Sequence, residues 1–342
     1  MATQRSFTSA YEVVDITEEL NLIPNQWSLV TDLGVFNEQP VAQSVIQFEQ
    51  VDKSLAIVAD QHRGVRNTVG KNDGRKIHAF SLTHHPLDDY LTGADLSGVR
   101  AYGANTNRAD TEAEALARKM ERMAMSHDAT LETARVHTLV TGQQFAPNNT
   151  ITTDFYSAFG ITRKEIDFTL GTTAATVVQE KSEEAIAHIQ DNLQNGTIAG
   201  GMVALCSPEF FAKLIKQAGV LEAYKYYTST QEPQRQRLGG ANALFRRFVH
   251  GGVEYIEYRG MYNGQRLIPA GEARIMPTNV PDFATTFFGP AGKLSHVNTL
   301  GERRYGWTYR DPKDEFVEVQ TETNFINLIR YPQAIVRAFS SN

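Results

Sequence analysis

The chain has 342 residues with 33 basic and 39 acidic side chains, so its formal net charge is −6. Hydrophobic residues make up 41% and charged residues 21%, a composition typical of a globular protein that excludes a collagen, a disulfide-rich scaffold, a long coiled coil and a disordered chain. The acidic balance argues against a dedicated nucleic-acid-binding protein, which usually carries a basic surface.

The sequence also indicates a compartment. No apolar stretch approaches the roughly 18 residues of a membrane span, and the N-terminus lacks the basic and apolar regions of a secretion signal. Cys206 is the single cysteine, so no intrachain disulfide forms. These features predict synthesis in a reducing cytoplasm.

An extended arm is predicted for residues 1–45. They hold six acidic residues and one basic residue, Arg5, which gives the segment a net negative charge. Short apolar clusters are separated by Pro24, Asn25 and Gly34. This pattern indicates an arm with a few anchor points and no core of its own.

A long hairpin is predicted after the arm. Residues 45–60 alternate and are rich in β-branched side chains, and residues 77–82 form a second strand-like run. The stretch from Asp60 to His78 holds two anions and five cations. The five cations of this tip are Arg63, Arg66, Lys71, Arg75 and Lys76. Because a two-stranded hairpin is at best marginally stable alone in water, we expect it to lie on another surface.

Residues 111–141 carry the strongest single signal, that of one long helix. Thr111 and Glu114 have the spacing of a capping box, apolar residues recur at steps of three and four, and Gly142 follows as a C-terminal glycine. Such a helix spans about 45 Å at 1.5 Å per residue. Its apolar stripe is narrow and rich in Ala and Met, which predicts a spine on which other elements pack.

Short strands and helices follow, which places the chain in the mixed α+β class. Strands are predicted at 151–155, 161–170, 202–206 and at a pair, 253–262 and 265–276, and helices at 182–193 and 209–218. Residues 228–240 are predicted to form a polar loop, and the last segment, from residue 316, alternates as strands do.

Individual residues predict where these elements begin and end. Ser182 and Ser207 are expected to be N-caps, the second of them followed by Pro208 at the first helical position. Gly219 is expected to end the helix predicted at 209–218. Asn263-Gly264 is a typical two-residue turn between antiparallel strands.

No arrangement of residues indicates catalysis, a metal or a cofactor. The nine histidines lack metal-ligand spacing, and His84-His85 has no third ligand nearby. The run 64–71 differs from a P-loop in its glycine spacing and in having Asn72 where Ser or Thr binds magnesium. Cys206 precedes a helix, which favours a reactive thiol, but its apolar surroundings favour a buried structural residue.

Several blocks of the second half resemble a known family. They are apolar strands, a proline-started helix with aromatic residues, and segments bearing tyrosine or tryptophan. The blocks are residues 202–214, 253–262, 267–269, 273–277, 305–316 and 327–336. In their order and spacing they resemble the lambda-type major capsid proteins of tailed bacteriophages, the family of major capsid protein E. The resemblance covers roughly residues 200–342 in motif and the rest of the chain in layout.

The resemblance implies the Hong Kong 97 capsid fold. Its parts are an N-terminal arm at 1–45, an extended-loop hairpin at 46–105, a P-domain at 106–198 with the spine helix 111–141, an A-domain at 199–320 and a return to the P-domain at 321–342.

The implied function is structural and non-enzymatic. Subunits of this family assemble in the host cytoplasm as hexamers and pentamers into the icosahedral shell that encloses the double-stranded DNA genome of the virion. Their A-domains meet at the symmetry axes, and the hairpin lies over a neighbour. The expected contacts between subunits are then Arg63, Arg66, Lys71, Arg75 and Lys76 of the hairpin tip.

The resemblance also implies partners. We expect a separate scaffolding protein and a portal during assembly, an outer decoration protein, packaged DNA held without sequence specificity, and no membrane. The net negative charge predicts an inner wall that does not hold DNA tightly. Lys71 and Asn72 are a possible covalent crosslink of related shells, but lambda-type shells do not crosslink and the pair is ordinary turn composition.

The sequence alone leaves three other classes open. One is an encapsulin-like cellular nanocompartment with the same fold, which binds a cargo peptide inside. A second is a cytoplasmic α+β enzyme with an unrecognised site, for which Cys206 is the first candidate. A third is a phage tail or connector protein, which forms rings or tubes.

Overall fold

The computed structural model describes residues 28–52, 74–96, 111–148, 153–172, 174, 176–193, 200–227 and 246–341. Helices and strands intermix along these residues, which confirms the α+β class. The helices are α1 (Leu29–Asp32), α2 (Gly93–Leu96), α3 (Glu112–Thr141), α4 (Phe155–Phe159), α5 (Val177–Asn192), α6 (Pro208–Lys216) and α7 (Ala218–Tyr227).

Strands form two large sheets and two short two-stranded ribbons in the described residues. The strands are β1 (Phe36–Pro40), β2 (Val45–Asp52), β3 (Gly74–Ser81), β4 (Thr83–Thr92), β5 (Lys164–Asp167), β6 (Gly201–Cys206), β7 (Arg247–His250), β8 (Val253–Glu257), β9 (Met261–Tyr262), β10 (Gln265–Arg266), β11 (Glu272–Thr278), β12 (Ala284–Phe288), β13 (Tyr305–Arg310), β14 (Phe316–Ile329) and β15 (Val336–Phe339).

The first sheet is centred on β14, the longest of these strands. β12, β13 and β4 all pair antiparallel with β14, and β1 pairs parallel with β12. β4 runs along most of β14, with Thr83 opposite Phe325 and Thr92 opposite Phe316. The sheet thus joins the end of the predicted arm, the strand after the hairpin and three strands from the last 60 residues.

The second sheet has the order β5-β15-β11-β6-β8-β7. Its central strand β6 is a continuous apolar run, and residues 202–206 are all buried, as expected for a strand covered on both faces. α5 and α6 pack on the sheet through buried side chains such as Ile189, Phe210 and Leu214. This sheet and its helices form the largest apolar core of the described residues.

Helix α3 has the predicted ends. The Thr111 hydroxyl accepts a hydrogen bond from the Glu114 amide, and the Glu114 carboxylate accepts one from the Thr111 amide, so the capping box is present. Gly142 follows the helix with φ 74°, a left-handed conformation that glycine adopts without strain. The predicted helix is confirmed. The residues that fix its two ends are adjacent to it in the sequence, so the prediction did not depend on distant contacts.

Helix α3 contacts both cores. Leu131 and Ala134 pack with Phe325 and other side chains of the first sheet. Val136 and Leu139, one turn further on, belong to the core of the second sheet. The helix therefore connects the two sheets, which is the role that its length predicts.

Two local predictions in the middle of the chain are wrong. Ser182 was expected to cap a helix, but it lies inside α5, where its buried hydroxyl is 2.6 Å from that of Tyr255. Phe155 was expected to end a strand, but it begins α4 after Asp154, whose carboxylate caps the helix. The first difference comes from a partner 73 residues away, and the second from a capping residue adjacent to Phe155.

Two further boundaries differ from the prediction. Gly219 does not end a helix, because the Gln217 side chain accepts hydrogen bonds from the Gly219 and Val220 amides and starts α7. The predicted strand pair around Asn263-Gly264 is reduced to the two-residue strands β9 and β10, since β8 pairs with β6 and β7 instead. The turn itself is confirmed, with φ 49° at Asn263 and 76° at Gly264.

The two large sheets each collect strands from several of the predicted sequence segments. For example, β5 and β15, at residues 164–167 and 336–339, pair with each other in the second sheet. The division into arm, P-domain and A-domain therefore stays a prediction about the assembled shell. Residues 1–27 of the arm, most of the hairpin tip and the predicted loop 228–240 lie outside the described residues.

Candidate interaction surfaces

An aromatic cluster holds the base of the hairpin on the body of the subunit. β2 and β3 pair antiparallel from Val45 opposite Ser81 at the base to Asp52 opposite Gly74. The cluster consists of Phe48, Phe80, Phe155, Phe159 and Phe287, whose neighbouring ring centroids lie 5.4–6.5 Å apart. The surface that the hairpin was expected to need is thus supplied at its base by α4 and β12 of the same chain.

The outer end of the hairpin is exposed. Arg75 and Lys76 are exposed, and the Ile77 side chain is 66% exposed although it is apolar. Of the five predicted contact residues, the structure describes these two cations, at consecutive positions of the far end of β3 and therefore on opposite faces of the strand. Arg63, Arg66 and Lys71 lie outside the described residues.

A negatively charged surface lies at the N-terminal end of helix α3. We define the acidic end as residues 86–96, 111–122 and 305–318, which hold ten acidic and five basic side chains. Contacts between these segments bring them together: the Lys119 ammonium is 3.0 Å from the Asp89 carboxylate, and Arg310 pairs with Glu112. The acidic end therefore has a net charge of −5, and most of its acidic side chains are exposed.

A buried ionic junction fixes the end of the arm to the spine. The Glu132 carboxylate accepts hydrogen bonds from the Val30 amide at 2.8 Å and the Thr31 amide at 3.0 Å, and from the Thr31 hydroxyl at 2.7 Å. The two amides belong to the first turn of α1, whose N-terminal residue Ser28 makes no capping hydrogen bond, so Glu132 serves as the cap. Burial raises the pKa of Glu132, although its hydrogen bonds and Arg135 act in the opposite direction.

Arg135, one turn further along α3, extends the junction to the first sheet. Its guanidinium donates to the Glu38 carboxylate at 2.8 Å and to the hydroxyls of Thr31 and Thr286 at 3.0 and 3.1 Å. The side chain is 2% exposed, so removing one partner would leave a buried charge. Arg303 also contacts Glu38, at 3.4 Å. The junction fixes where the arm leaves the body.

The candidate nucleophile is buried and inert. Cys206 has no exposed surface, its thiol contacts the Ala204 carbonyl, and burial raises its pKa well above the ordinary value. No group of three or more potential metal ligands occurs in the part of the chain that the structure describes. Among the same residues, no helix is long and apolar enough to cross a membrane.

Sequence reasoning missed the aromatic cluster and the ionic junction. Phe48 and Phe287 are 239 positions apart, and Glu132 lies about 100 residues from the amides that it caps. Nothing in the local pattern of either segment identifies its partner. The only available signal was the presence of a Glu and an Arg, Glu132 and Arg135, on the apolar half of a long helix.

Comparisons with known proteins agree with the geometry. The family model described as "Phage major capsid protein E" matches residues 12–340. The major capsid protein of Pseudomonas phage KPP10 is 44% identical over 345 residues, and the match covers 97% of each chain. That of Salmonella phage Felix O1 is 24% identical over 356 residues, and the match covers 96% of each chain.

Solved structures of phage capsids show the same fold. The capsid of cyanophage P-SCSP1u matches with a TM-score of 0.55 at 10% identity, over 90% of this chain and 87% of the other. The mature capsid of bacteriophage PhiM1 matches with a TM-score of 0.54 at 11% identity, over 90% and 85%. The predicted Hong Kong 97 capsid fold is confirmed.

These findings decide between the classes that the sequence left open. The relatives are major capsid proteins of phages, which favours a shell subunit over a cellular compartment, an enzyme or a tail protein. The match extends over nearly the whole chain, including the hairpin and the spine helix. This chain belongs to the phage major capsid protein E family.

Proposed function

We propose that the chain forms the icosahedral shell of a phage head by self-assembly into hexamers and pentamers around double-stranded DNA. As a major capsid protein it is a structural component of the virion and not an enzyme. The observation that carries the assembly proposal is the hairpin, which is anchored by aromatic side chains at its base and exposes Arg75, Lys76 and Ile77 at its outer end.

The outer end of the hairpin is complementary to the acidic end of another copy. On β3, the exposed Arg75 and the exposed apolar Ile77 share one face of the strand, and the exposed Lys76 lies on the other. The acidic end combines Asp88 and Glu315, both exposed, with the Tyr90 ring, which is 49% exposed. Contact between these surfaces pairs charge with charge and apolar surface with apolar surface. Arg63, Arg66 and Lys71 extend the same basic tip in the sequence.

Each contact between two subunits contributes little free energy, but the same contact recurs between all neighbouring subunits of the shell. An exposed ion pair contributes about 0–1 kcal/mol, and burying a side chain such as Ile77 contributes roughly 1.5–3 kcal/mol. Each subunit of a closed shell makes this contact twice, once through its own hairpin and once through its own acidic end. The stabilisation of the individual contacts therefore adds over the assembly. Charge complementarity mainly sets the register and the rate of association.

We also infer the domain roles and the remaining partners. The arm 1–45, the hairpin 46–105, the P-domain segments 106–198 and 321–342 and the A-domain 199–320 are the proposed units of the shell. A scaffolding protein and a portal act during assembly, and a decoration protein binds outside. DNA is enclosed without sequence specificity; the chain's net charge of −6 supports an inner wall that does not hold DNA tightly.

Charge reversal tests the hairpin contact. The variant Arg75→Glu with Lys76→Glu is expressed together with the scaffolding protein of the same phage, and shells are counted by sedimentation and negative-stain microscopy. We expect a reduced yield of shells, and partial recovery when Asp88→Lys and Glu315→Lys are added. Reversal of two cations on helix α6, Lys213→Glu with Lys216→Glu, is the matched control for net charge.

Three results would contradict the proposal, two of them the hairpin contact and one the assembly itself. Normal shells from the hairpin variant, or no recovery with the compensating changes, would exclude this contact. A wild-type chain that forms only small uniform oligomers, with and without the scaffolding protein, would exclude self-assembly into a shell.

A further inference from the structure

A cavity of about 580 Å³ lies beside the C-terminal end of helix α3. One part of its wall is the segment that contains the end of α3 and the residues before α4, namely His137, 143–148, 153 and 154. The other part is the β9–β10 turn, with Tyr262 and Asn263. Cavities of roughly 300–1,000 Å³ hold small organic molecules in proteins, and the chemistry of the lining determines which class of molecule fits.

Backbone hydrogen bonds hold the wall of this cavity in place. The Gln144 amide donates to the Thr153 carbonyl at 3.0 Å. The Phe155 amide donates to the Gly142 carbonyl at 2.9 Å. A side chain at Gly142 would overlap the Tyr156 ring, and its φ of 74° also favours glycine. The described residues on this side are therefore fixed relative to each other before a ligand binds, so binding orders few further groups.

Three aromatic rings line the cavity. The Phe145 ring is inclined at 67° to the His137 ring and at 80° to the Tyr262 ring, with 5.5 Å between the centroids in each pair. Phe145 is buried, whereas Tyr262 is 39% exposed, so part of its ring is open. Organic cations bind in proteins among aromatic rings set at steep angles, because the positive charge is attracted to the ring faces.

The lining carries one negative charge and no positive charge. Asp154 is its single acidic side chain, and no Lys or Arg is among the lining residues that the structure describes. The Asp154 carboxylate accepts hydrogen bonds from two neutral donors, the Ser157 amide at 3.2 Å and the Gln143 side-chain nitrogen at 3.4 Å. Burial lowers the pKa of His137, so this ring is uncharged at neutral pH. A cation that enters the cavity is therefore attracted by a carboxylate and repelled by no group of the lining.

Gln144 adds an unpaired acceptor to the lining. Its side-chain nitrogen donates to the Ser81 carbonyl at 2.9 Å, which fixes the orientation of the amide. The side-chain oxygen is buried and has no hydrogen-bond partner among the described residues. A buried acceptor without a donor costs free energy, so a ligand with an N–H group supplies what this oxygen lacks.

We propose that this cavity binds a small alkylammonium ion, with its charge on the Asp154 carboxylate and its carbon chain against the Tyr262 ring. An anion would be repelled by Asp154, and an apolar molecule would leave the carboxylate without a new partner. A free diamine and the side chain of a lysine residue share this chemistry. The site is separate from the hairpin contact. A bound ion joins the segment around α3 and α4 to the β9–β10 turn and so stabilises the folded subunit.

Titration with defined amines tests the proposal. Putrescine is added to the unassembled wild-type subunit, and binding is measured by isothermal titration calorimetry at low ionic strength. The uncharged analogue of the same length, 1,4-butanediol, should bind about tenfold more weakly or not at all, because it lacks the charge. N-acetyl-lysine-N-methylamide is titrated in parallel, and the amine that binds more tightly identifies whether the ligand is free or part of a protein.

Substitutions locate the site. Asp154→Asn removes the charge but keeps the cap of α4, because Asn and Asp are equally good N-caps. We expect it to weaken putrescine binding about tenfold, since a hydrogen bond to a charged group is lost. Tyr262→Ala should weaken binding about threefold, and Tyr262→Phe, which keeps the ring, should bind like the wild type. Asp191→Asn removes an exposed carboxylate from α5 outside the cavity and is the matched control.

Melting curves without ligand establish that each variant is folded before it is titrated. If the wild type binds neither amine, or binds butanediol as tightly as putrescine, the cavity is not a cation site. Equal putrescine affinities of the Asp154→Asn and Asp191→Asn variants would place the amine elsewhere on this acidic chain and would also overturn the proposal. The shell function is tested separately, because these titrations use the unassembled subunit.

Discussion

The His85 side chain should make the subunit unstable in mild acid. It lies on β4, where its ring stacks on that of Phe325 with 4.9 Å between the centroids and its Nε2 atom is 3.0 Å from the Thr83 hydroxyl. Burial, followed by the charges of His84 and His127, lowers the pKa of His85 from 6.5 to about 4. The folded subunit therefore keeps this imidazole neutral in a range of pH where the unfolded chain protonates it.

The sign and size of the effect follow from proton linkage. Because the pKa is lower in the folded state, the unfolded state binds more protons, and stability falls as the pH drops from about 6.5 to about 4. A difference of about 2.5 pH units at 1.36 kcal/mol each gives a loss of about 3 kcal/mol. Above about pH 6.5 the group is neutral in both states and this loss is absent.

The variant His85→Phe isolates this contribution. It keeps the ring stacking and removes the titrating group, and the Thr83 hydroxyl retains its hydrogen bond to the Phe325 carbonyl. Urea unfolding of the unassembled subunit is followed by tryptophan fluorescence between pH 7.5 and 4. The difference at pH 7.5 measures packing alone, so it serves as the internal control. Between pH 7.5 and 4 the wild type should lose about 3 kcal/mol more than the variant. Parallel pH profiles would refute the reasoning.

Three further predictions concern other described residues. Glu132→Ala should lower the free energy of unfolding by about 3 kcal/mol, because two amides and the Thr31 hydroxyl lose their partner, and Glu132→Gln by about half as much. Urea unfolding and proteolysis at the base of the arm measure both, and an unchanged midpoint for the Ala variant would exclude the capping role. Gly301→Ala should destabilise the subunit by roughly 1–3 kcal/mol, because its Cβ overlaps the Phe288 carbonyl, whereas Gly292→Ala should be tolerated; similar melting temperatures for the two variants would contradict the steric argument. Cys206 should react with a thiol reagent only after unfolding, and rapid modification of the native subunit would show that the thiol is accessible.

The features predicted correctly from the sequence are those whose determinants are neighbours in the chain. The capping box of Thr111, the Ser207-Pro208 start of α6 and the Asn263-Gly264 turn each depend on residues a few positions apart. The family blocks of the second half worked for the same reason, since each is a short run with its own pattern.

Several features that sequence reasoning missed depend on distant residues. The local pattern predicts that Ser182 is an N-cap, but in the structure its hydroxyl contacts that of Tyr255, 73 residues away, in the core. Nothing in the sequence around Glu132 distinguishes it from an ordinary helical glutamate, but in the structure its carboxylate accepts hydrogen bonds from two amides of α1. The exposure of Leu294 is equally invisible in the sequence, because a leucine in a loop is buried or exposed according to the sheet beneath it.

Helix α3 has a mechanical consequence. It is continuous for 30 residues and is packed into the cores of both sheets. A load applied to one sheet therefore reaches the other through this continuous helix as well as through direct side-chain packing. The two sheets are thereby held in one fixed orientation relative to each other within the subunit.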